Sequence, residues 1–307
     1  MKRALFALAS LLTVGLACAL PGDNAPDAAA TLDEAVRLTV EAAAFAPPLA
    51  ITQAPPAITT DTPPPPLGLT LPPPTAEPPS VEPSATPGDL ARPNGLIFHA
   101  LHFSAPPTVD GDLSEWGGLA DVIDQVVFQP ANWSGTGDNS ATFVLAWDVN
   151  NFYIAVQVKD EVRAQTQRDA LIFKGDSLEL LLDTNLAGDF ADAKLSNDDF
   201  QLGLSPGDLT TGNPPPQPYL WFPKDRAGVP VGVTVSAKPL GDGYTVEAAI
   251  PWTVFSVRPG SGNRFGFALS VSDDDNTAAA EQQSMISTVS TRKLTNPTTW
   301  GTLVLDE

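Results

Sequence analysis

Apolar and polar residues alternate with a period of two along much of the chain beyond residue 95. Phe152, Ile154, Val156 and Val158 form one such set, and similar sets run over 178–182, 244–250 and 265–271. Successive side chains of a strand point to opposite faces, so each set predicts a strand with one apolar face. Turn signals at Asn150-Asn151 and Asp242-Gly243 separate these strands, as hairpins require.

No long stretch of the chain shows the 3.6-residue period of an amphipathic helix. Many short strands separated by Gly, Pro, Asn and Asp are typical of an antiparallel β-sandwich. The pattern therefore predicts one all-β domain over residues 95–307, with a jelly-roll-like sandwich architecture.

Residues 19–94 have a different composition, since this segment holds more than half of the 32 prolines and Phe45 as its one aromatic residue. Proline fixes φ and lacks a backbone donor, so neither helix nor sheet propagates through such a segment. We expect a mostly disordered Pro-rich linker. One interpretation is a tether that holds the domain away from a cell surface, and the other is a linker without a length requirement.

The N-terminus carries the features of an export signal. Lys2 and Arg3 precede the apolar run Ala4–Ala17, which ends at Cys18, the only cysteine of the chain. Residues 1–18 therefore predict a signal peptide with a lipobox-like end and lipidation at Cys18. Ordinary cleavage after Ala19 is the alternative. Both interpretations predict an exported protein, either a cell-surface lipoprotein held to the membrane only by its N-terminal lipid or a secreted protein.

The charge balance narrows the range of partners. A net charge of −20 disfavours nucleic acid and anionic lipid headgroups as ligands. Two histidines and one cysteine are too few for a structural zinc cluster or an internal disulfide framework.

Acidic residues lie beside predicted strands and suggest calcium as a structural cofactor. Calcium takes six to eight oxygen ligands, mostly carboxylates and carbonyls. A solvated acidic surface is the alternative. The segment that begins at Asp183 resembles a calcium-binding EF-hand loop, but Lys194 stands where a bidentate glutamate is required. The candidate ligands are Asp160, Asp169, Asp176, Asp273, Asp274 and Asp275.

Four motifs in a fixed order resemble the family 9 carbohydrate-binding modules, over about residues 95–307. They lie at 109–116, 146–160, 175–183 and 244–252, with Trp116, Trp147 and Trp252 among their residues. The resemblance implies a β-sandwich that binds sugar without catalytic residues and holds a structural metal with help from Asp160. It also implies that the framework tryptophans, including Trp300, belong to the core.

The resemblance also implies candidate sugar-binding residues. Two facing aromatic residues form the ligand clamp in well-studied members, and the matching positions are Phe173 and Leu294. Glu179 keeps the matching polar partner, whereas Gln201 stands at a position of arginine. The tryptophans outside the framework motifs are either further ligand surfaces or loop anchors, namely Trp133 and Trp221.

Other functions remain as alternatives to sugar binding. A sandwich that has lost its ligand would act as a protein interaction or scaffold domain. A haem-binding redox domain needs axial ligands, and Met285, which we expect in a loop, is the one methionine after Met1. Enzymatic activity is not expected, because no Ser-His-acid set or distinctive carboxylate pair stands out.

Overall fold

The computed structural model describes residues 90–307, which form thirteen strands and five short 3-10 helices. The signal peptide, Cys18 and nearly all of the predicted linker lie outside the described residues. The first seven strands are β1 Ile97–His102, β2 Asp121–Ile123, β3 Gln125–Phe128, β4 Ser140–Trp147, β5 Asn151–Lys159, β6 Ser177–Asp183 and β7 Asp199–Ser205. The remaining strands are β8 Gln217–Phe222, β9 Thr234–Leu240, β10 Gly243–Pro251, β11 Arg264–Asp273, β12 Ser284–Ser287 and β13 Gly301–Leu305. The 3-10 helices are Leu113–Trp116, Asp169–Leu171, Lys224–Arg226, Trp252–Val254 and Pro297–Thr299.

The strands hydrogen-bond in the order β8-β7-β6-β11-β13-β1-β4-β5-β10-β9, with β2, β3 and β12 attached at the side. Most neighbours are antiparallel, and the predicted all-β sandwich is confirmed. Strand β1 is the exception, because it pairs in parallel with both β13 and β4. Alternation along a strand does not encode the direction of its neighbours, so this parallel pairing could not be predicted from the sequence pattern.

The larger of two hydrophobic clusters within residues 90–307 includes side chains of β1, β4 and β11. Phe98 on β1 packs against Phe143 of β4 and Phe267 of β11, with ring centroids 5.6 and 5.5 Å apart. The framework tryptophans predicted to be core are all buried, from Trp147 at 5% exposure to Trp300 at 0%. Full burial of one such large apolar side chain contributes about 1.5–3 kcal/mol to the free energy of unfolding.

Met285 lies in strand β12 opposite Ser272, and not in a loop as the sequence suggested. Its side chain is 1% exposed. The short apolar stretch around it was too brief to predict a strand from alternation. Among residues 90–307, no helix is long and apolar enough to cross a membrane.

Candidate sugar-binding and cation sites

The outer face of β6, β7 and β8 brings together most of the predicted sugar-binding residues. Glu179 of β6 stands opposite Gly203 of β7, and Gly203 stands opposite Tyr219 of β8. Residues directly opposite each other in an antiparallel ladder share a face. Glu179, Gly203 and Tyr219 therefore form one row across the sheet.

Glu179 is the centre of a buried polar cluster on this face. The side-chain amide of Gln201 donates a hydrogen bond of 2.9 Å to Glu179 Oε2. The Arg292 guanidinium forms an ion pair with the other carboxylate oxygen. The side chains of Arg292 and Glu179 are only 3% and 2% exposed. Breaking such a buried pair leaves an uncompensated charge, at a cost of about 3–5 kcal/mol.

Three aromatic rings lie next to this polar cluster. Phe173 meets Trp221 edge to face at 6.3 Å between ring centroids, and Tyr219 lies 5.9 Å from Trp221. All three are half-buried. The indole ring covers Gly203, where a Cβ atom would overlap it. The absence of a side chain at position 203 therefore lets the Trp221 ring lie against β7, at the position opposite Glu179.

Hydrogen bonds fix the aromatic rings in place. Trp221 Nε1 donates to the carbonyl oxygen of Ala170 at 2.9 Å. Ser272 Oγ donates to the carbonyl oxygen of Phe173 at 2.9 Å. Gln282 Nε2 donates to Ser272 Oγ, also at 2.9 Å. The segment that carries Phe173 is thus tied to both neighbouring strands, which makes the aromatic surface largely preformed.

The other two predicted sugar-binding residues lie elsewhere. Trp133 packs against the core from its loop, and its Nε1 donates to the carbonyl oxygen of Asn139 at 2.9 Å. Leu294 is 7% exposed and belongs to the hydrophobic core. Their contact with a ligand stays a prediction.

Sequence reasoning missed Arg292 and Tyr219. Arg292 supplies a guanidinium to Glu179, although Gln201 replaces the arginine that the family resemblance implies on β7. The two partners are 113 positions apart, and no local pattern indicates such a contact. Tyr219 follows Pro218 in a segment where apolar and polar residues do not alternate regularly. The pairing of β7 with β8 also shifts register, between Gln201 and Leu202.

A second group of predicted residues forms an acidic cluster where β5 and β11 end. Carboxylate oxygens of Asp160, Asp273 and Asp275 lie within 4.8 Å of one another. Asp275 also lies within this distance of Asp138 and Glu161. Asp275 Oδ1 is buried and has no hydrogen-bond partner. Hard oxygen ligands and an unpaired carboxylate oxygen both suit calcium, so the residues present fit such an ion.

Burial makes the charged forms of these carboxylates costly. Desolvation is the main cause that raises the pKa of Asp160 to about 7, and the nearby charges of Asp275 and Glu161 raise it further. Desolvation also raises the pKa of Asp273 to about 8, with a further contribution from the charge of Asp275. A bound cation would compensate these charges and favour the ionised forms.

The remaining predicted cation ligands surround this cluster or lie apart from it. Asp176 is fully buried, accepts hydrogen bonds from the backbone of Ala164 and Asp274, and has its pKa raised by burial and by Asp160. The Asp274 carboxylate accepts from the backbone of Asn276 within its own loop. Asp169 is exposed, and neither Asp169 nor Asp274 belongs to the groups of close oxygens.

Known proteins with a similar fold include family 9 carbohydrate-binding modules. The chain resembles a family 9 carbohydrate-binding module from Caldicellulosiruptor kristjanssonii in complex with cellotriose, at 23% identity and a TM-score of 0.53. That match covers 69% of this chain and 94% of the other. The complex of such a module from this organism with glucose matches at 24% identity and a TM-score of 0.51, covering 68% and 95%. These likenesses concern the fold.

No curated protein matches the sequence. The family model described as "Carbohydrate family 9 binding domain-like" matches residues 109–307, which is more than half of the chain. The chain therefore belongs to the family 9 carbohydrate-binding-like domains.

Proposed function

We propose that this protein binds carbohydrate on the outer face of β6, β7 and β8 and catalyses no reaction there. The observation that carries the proposal is the aromatic surface of Phe173, Tyr219 and Trp221, which covers Gly203 directly opposite Glu179. Flat rings pack against the C–H faces of a pyranose, and charged or amide groups orient its hydroxyls. Family membership supports the same function.

Phe173 and Trp221 supply the stacking surface in this proposal. The half-buried Gln201, which the buried Glu179 carboxylate holds in place, supplies the polar contact. Similar folds have been solved with cellotriose and with glucose, so glucose-containing oligosaccharides are the first ligands to test. Because one face of the site is aromatic and Leu294 is buried in the core, a single stacking surface is available. Affinity should therefore be weak, with a dissociation constant of about 0.1 mM or higher.

Titration calorimetry with cellotriose tests the site. Phe173→Ala should weaken binding about 10- to 150-fold, since loss of an aromatic stacking partner costs about 1–3 kcal/mol by analogy with base stacking. Phe103→Ala is the matched control, because Phe103 packs with Trp116 in the smaller hydrophobic cluster on β4 and β5, away from the proposed site. Equal affinity of both variants for cellotriose would place the sugar elsewhere, with Trp133 as the next candidate.

A protein interaction domain is the second candidate function. Both carboxylate oxygens of Glu179 already have partners within the chain, namely Gln201 and Arg292. A site satisfied in this way offers a sugar fewer vacant polar groups. Absence of binding across a glycan array, together with a folded domain, would favour this candidate.

Calcium at Asp160, Asp273 and Asp275 is the structural cofactor in this proposal. The close oxygens and the unpaired Asp275 Oδ1 support it. When bound, the ion would neutralise the loop carboxylates that follow β5 and β11. The residues themselves hold these two loops beside the buried Asp176, which links both of them through backbone hydrogen bonds.

Export and lipidation at Cys18 complete the proposed function. The charged N-terminus, the apolar run up to Ala17 and the sole cysteine support a lipoprotein, and the Pro-rich segment 19–94 would extend the domain from the membrane. A diacylglyceryl group supplies the two acyl chains needed for stable anchoring. Mass spectrometry of the mature N-terminus tests this, and a lipid-free peptide beginning at Leu20 would show simple secretion.

A further inference from the structure

The connection between β6 and β7 gathers a second set of acidic residues at the opposite end of the sheet. Asp183 ends β6, and Asp199 begins β7 directly opposite it. Asp189 and Asp198 lie in the connection, and oxygens of Asp183, Asp189 and Asp198 come within 4.8 Å of one another. Like charges directly opposite each other on paired strands are destabilising unless something compensates them.

Three carboxylate oxygens of this group have no hydrogen-bond partner although they are buried. They are Asp189 Oδ1, Asp198 Oδ2 and Asp199 Oδ1. Asp199 is completely buried, and the charges of Asp183, Asp198 and Asp189 all act on its carboxyl group. Buried polar atoms are nearly always paired in native structures, and an unpaired buried carboxylate is more costly than a neutral group. The unpaired oxygens therefore point to a ligand.

Arg92 compensates only part of this charge. Its guanidinium donates to Asp183 Oδ2 at 2.7 Å and to the carbonyl oxygen of Phe190 at 2.7 Å. Within residues 90–307, this is the one ion pair formed with the four aspartates. Its contacts do not reach the unpaired oxygens of Asp189, Asp198 and Asp199. One positive charge among four carboxylates leaves a surplus of negative charge in a buried place.

We propose that Asp183, Asp189, Asp198 and Asp199 form a second cation site, which binds a divalent ion of the calcium type. Four carboxylates are hard oxygen donors, which suit Ca²⁺ better than thiolate- or imidazole-seeking metals. The ion would join the β6–β7 connection to the sheet, next to the segment that Arg92 anchors through its backbone hydrogen bond of 2.8 Å to Thr302. Gly266 of β11 lies opposite Asp183 of β6. A Cβ atom at position 266 would lie 2.8 Å from the Asp183 side chain.

This site is separate from the cluster around Asp160. Asp183 is opposite Gly266 at the start of β11, whereas Asp273 is at the end of the same strand. Seven residues of strand separate these positions, which corresponds to about 23 Å at 3.3 Å per residue. The two sites should therefore bind calcium independently.

Native mass spectrometry of the full chain in millimolar calcium tests the proposal by counting bound ions. The double variant Asp189→Asn/Asp198→Asn should hold one calcium fewer than the unmodified protein. Asp192→Asn is the matched control, because Asp192 is an exposed residue of the same connection and lies outside the group of close oxygens. An equal calcium count in the double variant and the unmodified protein would overturn the proposal.

Asp275→Asn distinguishes this site from the one at Asp160. A lower count in Asp275→Asn reports on the first site, and a lower count in the double variant reports on the second. The single variant Asp189→Asn provides a milder test, in which calcium affinity of the second site should fall at least tenfold.

Melting curves add a further readout, since the double variant should melt at least as high as the unmodified protein in chelator but gain less from calcium. A variant that loses the same amount of stability in both conditions would show a purely structural role.

Discussion

The indole ring of Trp221 lies directly on Gly203, and this contact sets the aromatic surface beside Glu179. A Cβ atom at position 203 would overlap the ring. Trp221 is held on its far side by the hydrogen bond from Nε1 to the carbonyl oxygen of Ala170. The ring therefore cannot move aside without losing this hydrogen bond, so the glycine within β7 makes room for the ring at the expense of strand propensity.

Gly203→Ala should displace Trp221 and weaken sugar binding. The added methyl group must push the ring outwards, which also disturbs its edge contact with Phe173. Overpacking of this kind costs about 1–3 kcal/mol, so the melting temperature should fall as well. Calorimetry and thermal denaturation measure the two effects.

Gly241→Ala is the control for this substitution. Gly241 is an exposed turn residue, and an added Cβ would meet no atom within 4 Å. It should leave both affinity and melting temperature unchanged. Full sugar affinity in Gly203→Ala would show that the position of Trp221 does not matter for the ligand.

Glu179→Gln should show how much the buried ion pair of the polar cluster contributes to stability. The substitution keeps the shape of the side chain but leaves the Arg292 guanidinium without its anionic partner. Loss of one partner of a buried ion pair costs about 3–5 kcal/mol, so denaturant unfolding should shift strongly. Gln201→Ala removes only one neutral donor to Glu179 and should cost about 1–3 kcal/mol. Equal loss of stability in the two variants would contradict the central place of the ion pair.

The calcium-free domain should lose stability as the pH rises from about 4 to 8. Asp160 and Asp273 have folded-state pKa values raised to about 7 and about 8, above the ordinary value of 3.8. The folded state therefore binds more protons than the unfolded state in this range, and the free energy of unfolding decreases with increasing pH. Bound calcium replaces the protons and should remove most of this dependence.

Melting temperatures at pH 5 and pH 8, in chelator and in millimolar calcium, measure this effect. Calcium at 100 times its dissociation constant adds about 2.7 kcal/mol. Asp275→Asn should reduce the gain from calcium, whereas the exposed Asp169→Asn should preserve it. Identical dependence of the melting temperature on pH with and without calcium would show that no calcium binds at this loop cluster.

Alternation in the sequence predicted the long strands of the fold correctly. The sets that begin at Phe152, Tyr244 and Phe265 became β5, β10 and β11, because one face of each strand is buried in the core. The turn at Asp242-Gly243 joins β9 to β10 as expected. A period of two is a local property, and it is reliable where a strand has one buried face.

The candidate site was only partly predictable for the same reason. The sequence indicated Phe173, Glu179 and Trp221, but the contact of Glu179 with Arg292 joins residues far apart in the chain. The shared face of Asp183 and Asp199 depends on the β6–β7 register, which the irregular connection between them does not reveal. Long-range register and burial therefore decide which of the many acidic residues meet.

The buried carboxylate of Glu247 holds the motif at 109–116 against the sheet. Its Oε1 accepts a hydrogen bond of 2.5 Å from Trp116 Nε1, and its Oε2 accepts from the backbone of Gly111 and Asp110. The carboxylate is completely buried beneath this segment. Gly111 has a φ of 86°, and a Cβ there would lie 2.9 Å from Lys238, so the glycine permits the close approach.

Glu247→Ala should detach the segment from the sheet, because three donors lose their acceptor at once. Each buried donor left unpaired costs about 1–3 kcal/mol, so the loss should exceed that of a single hydrogen bond. The total tryptophan emission should shift to longer wavelength relative to the unmodified protein, because the released Trp116 ring meets water while the other five tryptophans keep their surroundings. Glu115→Ala is the control, since that exposed side chain bonds only the backbone of Thr108. Glu247→Ala protein with the unmodified melting temperature and emission would mean that apolar packing of Trp116 against Phe103 and Tyr153 holds the segment in place without the carboxylate.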